Sequence, residues 1–222
     1  MKNISIIVPT FNEEKLIPEF LKEIKKLKLK NYEVIIVDDS LDNTAEVAKK
    51  FMKKLKINGI VIKRFNKKGK GSAIRDGLKN ARGRYIILID SDLQYPVNKI
   101  PKIIENLKKY DIVNTKRLRK DPFYRKILGK IFKIFVFLLF GLKEETQSTM
   151  RGFRKKVKEY VNFEANSWAW DVEFLYKAKK LGFKFIDIPI IYSERKTGKS
   201  KINFLTPFKM FLEVLKIRLN LL

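Results

Sequence analysis

The chain contains no cysteine and no histidine. Without cysteine there is no disulfide framework and no thiolate metal site, and without histidine every mechanism that depends on imidazole is excluded. Any metal must therefore be held by oxygen atoms, which favours hard cations such as Mg²⁺ or Mn²⁺. Acidic residues are scarce, 24 against 50 lysines and arginines. The formal charge of +26 predicts attraction to a polyanion, whether nucleic acid, an anionic bilayer or a phosphorylated substrate. No apolar stretch reaches the roughly 20 residues that a membrane-spanning helix requires. The nearest to it, IFKIFVFLLFGL from Ile131 to Leu142, is broken by Lys133. The opening MKNISIIVPTFNEE has too short an apolar run for a secretory signal and no small-residue cleavage site. It reads as the first strand of the fold, and a cytosolic placement is expected.

What remains is ample for a core. With 222 residues and 45% hydrophobic content, the chain is most simply one domain with at most an appendage. Its first half alternates β-rich runs with helical patterns, the signature of βαβ units around a parallel sheet. ISIIVPT, YEVIIVDDS, IVIKRF, YIILIDSD and DIVNTKR read as strands. Helices are predicted from Leu16 to Leu27, around Val47 to Leu55, over GSAIRDGLKNARG and over KIPKIIENLKKY. Such a doubly wound sheet binds its ligands beyond the carboxyl ends of the strands. Asp38, Asp39, Asp90 and Asp92 all stand there.

At a strand end, residues i and i+2 point to one side, so Asp90 and Asp92 can converge on a cation while Ser91 faces away. Gln94 adds a neutral oxygen. Two like charges this close need something positive between them, and a divalent ion bridging a diphosphate supplies it. A bare D-x-D is otherwise commonly a solvated turn, but its place after a five-residue apolar strand favours the metal and diphosphate. Asp38 and Asp39 can accept hydrogen bonds from a base N–H or from ribose hydroxyls; a helix cap near Asn43 is the alternative for Asp39. KKGKGSA lacks the spacing of a phosphate loop, so its lysines offer phosphate only general attraction.

IIVPTFNEE, VIIVDDSLDNT, GKGSAIRDGLKNARG, IDSDLQYP and DVEFLYKAKKLGFKFIDIPI together resemble the family 2 glycosyltransferases, specifically the dolichyl-phosphate mannose synthase and dolichyl-phosphate glucosyltransferase branch. The likeness runs from residue 4 to about residue 202. It implies a GT-A fold, a nucleotide-diphosphate sugar donor of the GDP-mannose or UDP-glucose type, a divalent metal and inversion at the anomeric carbon. On this chain it implies that Pro9, Phe11, Glu13 and Asp39 contact the nucleoside, and that Asp90, Asp92 and Gln94 hold the metal and diphosphate. Asp38 and Ser91 complete the donor-binding set. Arg117 and Arg125 are expected near the acceptor phosphate, and Arg195, Ser200 and Lys201 match the R-x-x-G-x-S-K pattern that closes over the donor phosphates. Phe11 stands where many relatives have tyrosine, and Thr149 where the family usually has glycine. WDVEF, with Asp171 and Glu173, is closer to the glucosyltransferase branch.

The catalytic set expected from this is Asp92, Arg117, Arg125, Asp171, Glu173 and Arg195. A polyprenyl phosphate acceptor is already anionic near neutral pH and needs cations more than a base. Arginine suits it because its fork pairs phosphate oxygens twice. A sugar hydroxyl would instead demand a base, Asp171 or Glu173; the sequence permits both acceptors. Eight basic residues and one acid lie between Lys116 and Lys133, ahead of the apolar run. In the tail Lys209, Glu213, Lys216 and Asn220 form a narrow polar stripe on an otherwise apolar helix. The expected organisation is a GT-A domain over 1–203, with 122–142 as a basic and apolar interface segment, and an interface helix over 204–222. Peripheral attachment to the cytoplasmic face of an anionic membrane follows, with room for a membrane-spanning partner protein. The alternative is that both helices pack on the protein's own core. Nucleic acid is not an expected partner, because no helix-turn-helix, RNA-recognition or zinc signature accompanies the charge.

Overall fold

The computed structural model describes residues 3–65, 69–118, 123–146, 148–167, 169–191 and 206–219. Seven strands form one sheet: β1 (Ile4–Thr10), β2 (Tyr32–Asp38), β3 (Gly59–Lys63), β4 (Tyr85–Leu88), β5 (Ile112–Leu118), β6 (Arg151–Arg154) and β7 (Phe185–Ile191), in the order β3-β2-β1-β4-β6-β5-β7. The helices are α1 (Ile17–Lys26), α2 (Thr44–Lys54), α3 (Lys70–Asn80), α4 (Ile100–Asn106), α5 (Phe123–Phe140), α6 (Lys155–Tyr160), α7 (Trp170–Lys180) and α8 (Thr206–Arg218). All strand pairings are parallel except those of β6, which runs antiparallel to β4 and β5.

The strands are apolar on both sides because both faces are covered. Ile6 and Val8 of β1, Val34 and Ile36 of β2 and Ile87 of β4 meet Phe20, Ile24, Met52 and Ile103 from α1, α2 and α4. The alternate residues Ile7, Ile35, Val37, Ile86 and Leu88 face Ile74, Phe132, Val136, Trp170, Phe174 and Val214 from α3, α5, α7 and α8. In α1, buried Ile17, Phe20, Leu21 and Ile24 follow helical spacing, and a proline sits in the first turn, where it leaves no hydrogen bond unmade.

Two features differ from the sequence expectation. The fourth strand ends at Leu88, not Asp92, where its ladders to both β1 and β6 stop. The antiparallel RGFR strand was not foreseen; four residues are too short for a readable period.

Helices α5 and α8 divide their surfaces. Phe132, Val136, Phe140, Val214 and Ile217 are buried, and Phe211 packs its ring against Phe132 and Phe135 at 5.4 and 4.8 Å between centroids. Ile127, Leu128, Ile131, Ile134, Phe137 and Leu138 on α5, with Leu212 and Leu215 on α8 and Leu219 just after it, are exposed. The tail's polar stripe does not all face water, since Glu213 accepts a hydrogen bond from the Ser167 hydroxyl; Asn220 lies outside the described residues. No helix among the described residues is long and apolar enough to cross a membrane.

Gly71 sets how near α3 comes to α7. A Cβ there would stand 2.1 Å from the Ala165 carbonyl oxygen and 2.9 Å from Trp170 Cβ. Gly71→Ala should therefore cost about 1–3 kcal/mol of stability, read as a lowered midpoint in urea unfolding.

Candidate active site

The carboxyl ends of β1 and β2 are stitched together. Asp38 is fully buried; it accepts from the Thr10 hydroxyl at 2.7 Å, from the Ser40 hydroxyl and from Lys63 Nζ at 2.9 Å. It braces three strand ends and leaves no exposed atom for a ligand. The following loops zip up: Asn12, at φ 52°, donates its N–H to Ser40 Oγ at 2.7 Å, and Glu13 donates its N–H to Thr44 Oγ1 at 3.0 Å. Asp39 faces Arg64, whose Nε and Nη2 donate to its two oxygens at 2.7 and 2.5 Å; Arg64 Nη1 reaches on to Ser72 and Asp76. Asp39 therefore caps no helix, and it presents a carboxylate with a guanidinium beside it. Pro9 and Phe11, both half-buried, border the same loops.

Asp90 and Asp92 lie in the loop that follows β4. The loop turns at Leu93, held at φ 59°, and the Gln94 N–H donates to Asp92 Oδ1 at 3.2 Å, an Asx-type turn. A non-glycine residue in this conformation carries strain of a kind that gathers at ligand sites. Ser91 and Asp92 are buried, while Asp90 is partly open and bound by Lys70 Nζ at 2.6 and 2.8 Å. Lys70 begins α3, and the close approach at Gly71 brings α3 against α7, where Asp171 and Glu173 stand.

Those two acids do different things. Glu173 accepts N–H bonds from Glu164 and Ala165 and pairs with Lys177 Nζ at 2.6 Å, while Arg75 holds the carbonyls of Glu164 and Ala165 from the other side. Its carboxylate is engaged in fixing that loop. Asp171 pairs with the fully buried Arg151 at 3.0 Å and lies within electrostatic range of Lys70 and Asp90. Burial pushes its carboxyl up to about 6, against the pull of Arg151 and Lys70.

The loops after β1 and β2, the D-x-D turn after β4 and the buried acid of α7 thus stand near one another, with Lys70 between Asp90 and Asp171. Residues 5–165 match the family profile described as glycosyl transferase family 2. The chain belongs to glycosyl transferase family 2. Among curated relatives, dolichol-phosphate mannosyltransferase of Pyrococcus furiosus is 32% identical across 96% of this chain, and dolichyl-phosphate beta-glucosyltransferase of Dictyostelium discoideum is 30% identical across 99%. The chain spans 63% and 75% of the length of these two relatives. Glucosyl-3-phosphoglycerate synthase from Mycobacterium tuberculosis, solved with Mn²⁺, uridine-diphosphate-glucose and phosphoglyceric acid, is similar in fold, with a TM-score of 0.76 at 15% identity over 98% of this chain and 80% of that one. The architecture is the GT-A fold.

Arg117 stands at the carboxyl end of β5, opposite Ile190 of β7. Arg125 falls on α5, with its side chain outside the described residues, and Arg195, Ser200 and Lys201 also lie outside them. Thr149, where the family usually has glycine, has no left-handed backbone, and its hydroxyl is buried without a hydrogen-bond partner among the described residues. Sequence reasoning missed Arg64 and Arg151 and gave Lys70 too small a part. No local pattern marks a basic residue whose partner is 20 or more positions away, as the partners of all three are.

Among the described residues no cluster of three or more acids gathers around one point. The oxygen donors fit a cation even so. Asp90 already receives a positive group, and a Mg²⁺-type ion needs only one or two carboxylates when phosphates complete its shell. The predicted outcome for Glu173 follows from its role as a brace. Glu173→Gln should lower stability by about 1–3 kcal/mol, seen by thermal melting, and loosen the 163–166 loop in hydrogen exchange.

Proposed function

We propose that this member of family 2 is an inverting glycosyltransferase that moves a hexose from a nucleotide-diphosphate sugar, of the GDP-mannose or UDP-glucose type, to a polyprenyl phosphate at a membrane surface. The observation that carries this is the exposed apolar face of α5, a helix whose following segment leads into β6 beside the Asp90 loop. The 141–150 segment connects α5 to β6, and β6 enters the sheet opposite Leu88, just where the Asp90 loop departs. An acceptor with a phosphate head and an apolar tail suits that junction. Both curated relatives named above bear dolichyl-phosphate transferase names, and a third, from Photorhabdus laumondii, is called an undecaprenyl-phosphate 4-deoxy-4-formamido-L-arabinose transferase.

In this reading Pro9, Phe11, Glu13 and Asp39 hold the nucleoside. Asp90, Asp92 and Gln94 would hold Mg²⁺ or Mn²⁺ with the diphosphate, and the ion when bound offsets the charge of the leaving nucleotide. Lys70 turns from Asp90 toward the diphosphate as donor enters. Arg117 and Arg125 offset the repulsion between acceptor and donor phosphates, with Arg195, Ser200 and Lys201 closing over the donor. One acceptor oxygen attacks the anomeric carbon from the face opposite the departing diphosphate, which inverts it.

Residues 1–203 form the catalytic unit, and the 122–142 and 204–222 segments lie in the interface of an anionic cytoplasmic leaflet, alone or with a membrane-spanning partner. Basic residues near such a surface contribute about 1 kcal/mol each. A second reading, transfer to a soluble or glycan hydroxyl, draws on Asp171, whose raised carboxyl suits a base.

The deciding experiment incubates the protein and Mn²⁺ with a panel of nucleotide sugars, with and without polyprenyl phosphate. A lipid-extractable glycoside is expected; transfer that is equal without the lipid would favour the hydroxyl acceptor. Asp92→Asn should abolish metal-dependent turnover, and full activity in excess Mn²⁺ would remove the metal assignment. Transfer should decline as pH falls through about 6, where Asp171 takes up its proton; a rate flat across that range gives Asp171 no part. Ile131→Glu with Leu138→Glu, at sites 50% and 74% exposed, should reduce flotation on anionic vesicles while the melting temperature holds.

A further inference from the structure

Arg151 is buried completely, which is costly for a cation unless its donors are satisfied. Its Nε donates to Asn114 Oδ1 at 2.6 Å, Nη1 to Asp171 Oδ1 at 3.0 Å and Nη2 to the Glu145 carbonyl at 3.4 Å. Its guanidinium carbon lies 5.4 and 5.8 Å from the ring centroids of Trp170 and Phe174. One side chain therefore joins β5, β6, α7 and the segment after α5. Asn114 is fixed in turn by Asp187 of β7, at 3.0 Å.

Glu145 is the other end of this arrangement. Its N–H donates to Asp187 Oδ2 at 2.9 Å, and its buried carboxylate accepts from Lys133 Nζ of α5 at 2.8 Å. Glu145 thus has its backbone in the buried network and its side chain on the helix whose outer face is apolar. Three contacts, Lys133 to Glu145, Glu145 to Arg151 and Arg151 to Asp171, link that helix to Asp171.

We propose that Arg151 is a positioning residue for transfer, holding Asp171 in register with the Lys70–Asp90 pair, and that Glu145, tied to α5 through Lys133, sets where Arg151 stands. The proposal rests on the reading of transfer to a polyprenyl phosphate with α5 as the lipid-facing helix; Asp171 enters it through its place beside the Lys70–Asp90 pair. Its consequence is that seating α5 on a lipid surface tightens the catalytic side of the crevice and leaves the nucleoside side alone, because none of the Arg151 contacts reaches Asp39 or Arg64.

Arg151→Lys retains the charge and loses the fork. It should lower kcat by on the order of 10- to 100-fold, since small misplacements at a reacting centre are that expensive, while donor KM stays within about twofold. Arg151→Met, which loses the charge as well, should fall further if it folds. Lys133 is 49% exposed on its side chain, so Lys133→Met should fold; it should lower kcat several-fold on vesicles at unchanged donor KM. A readout independent of transfer uses a Trp168→Phe background, which leaves Trp170 as the one tryptophan beside Arg151. Anionic phosphatidylglycerol vesicles should change its fluorescence, and Lys133→Met should remove the change while vesicle cosedimentation persists. Full kcat per folded molecule in both Arg151→Lys and Lys133→Met, or a loss expressed in donor KM, overturns the proposal. If the unmodified protein transfers no sugar, the functional reading fails by itself, and a fluorescence response that survives Lys133→Met would still overturn the link.

Discussion

An acid set at the carboxyl end of a buried strand or in a buried helix start must be neutralised, and this protein meets that constraint with cations drawn from neighbouring elements. Lys63 answers Asp38, Arg64 answers Asp39, Lys70 answers Asp90 and Arg151 answers Asp171. Each pair ties one element to another, so the charges that equip the crevice also hold its walls. Removing one partner of such a pair would leave the other buried and uncompensated, which costs more than the pair itself gains.

The four pairs are not equivalent. Asp38 is closed off and serves the scaffold, whereas Asp90 is partly open and held by a lysine on a flexible stem. At Asp171 burial acts more strongly than the pull of Arg151, so its carboxyl is raised. Among the four, Asp90 is the most open to solvent, while Asp38, Asp39 and Asp171 are buried beside their cations.

The excess of lysine and arginine has a matching physical context. The formal charge of +26 accompanies a surface on which the outer apolar faces of α5 and α8 are exposed. The two helices are held together by aromatic contact through Phe211, and their inner residues complete the core on one side of the sheet. Packing on the core and facing outward are therefore not alternatives here, because a helix has room for both.

Much of the crevice was legible in the chain itself. Alternating apolar runs and helical periods determined the order of β1 to β5 and their helices, and the strand-end rule located Asp38, Asp39, Asp90 and Asp92, because these depend on local spacing. Only the tertiary structure decided which acids are open, since that depends on residues distant in sequence: Lys63 and Thr10 close Asp38, and the N–H groups of Glu164 and Ala165 occupy Glu173. It also decided the antiparallel insertion of RGFR between β4 and β5 and the burial of Arg151 against Trp170. A sequence records periodicity along one dimension; the partner of a buried charge is chosen by which surfaces the folded sheet brings within reach.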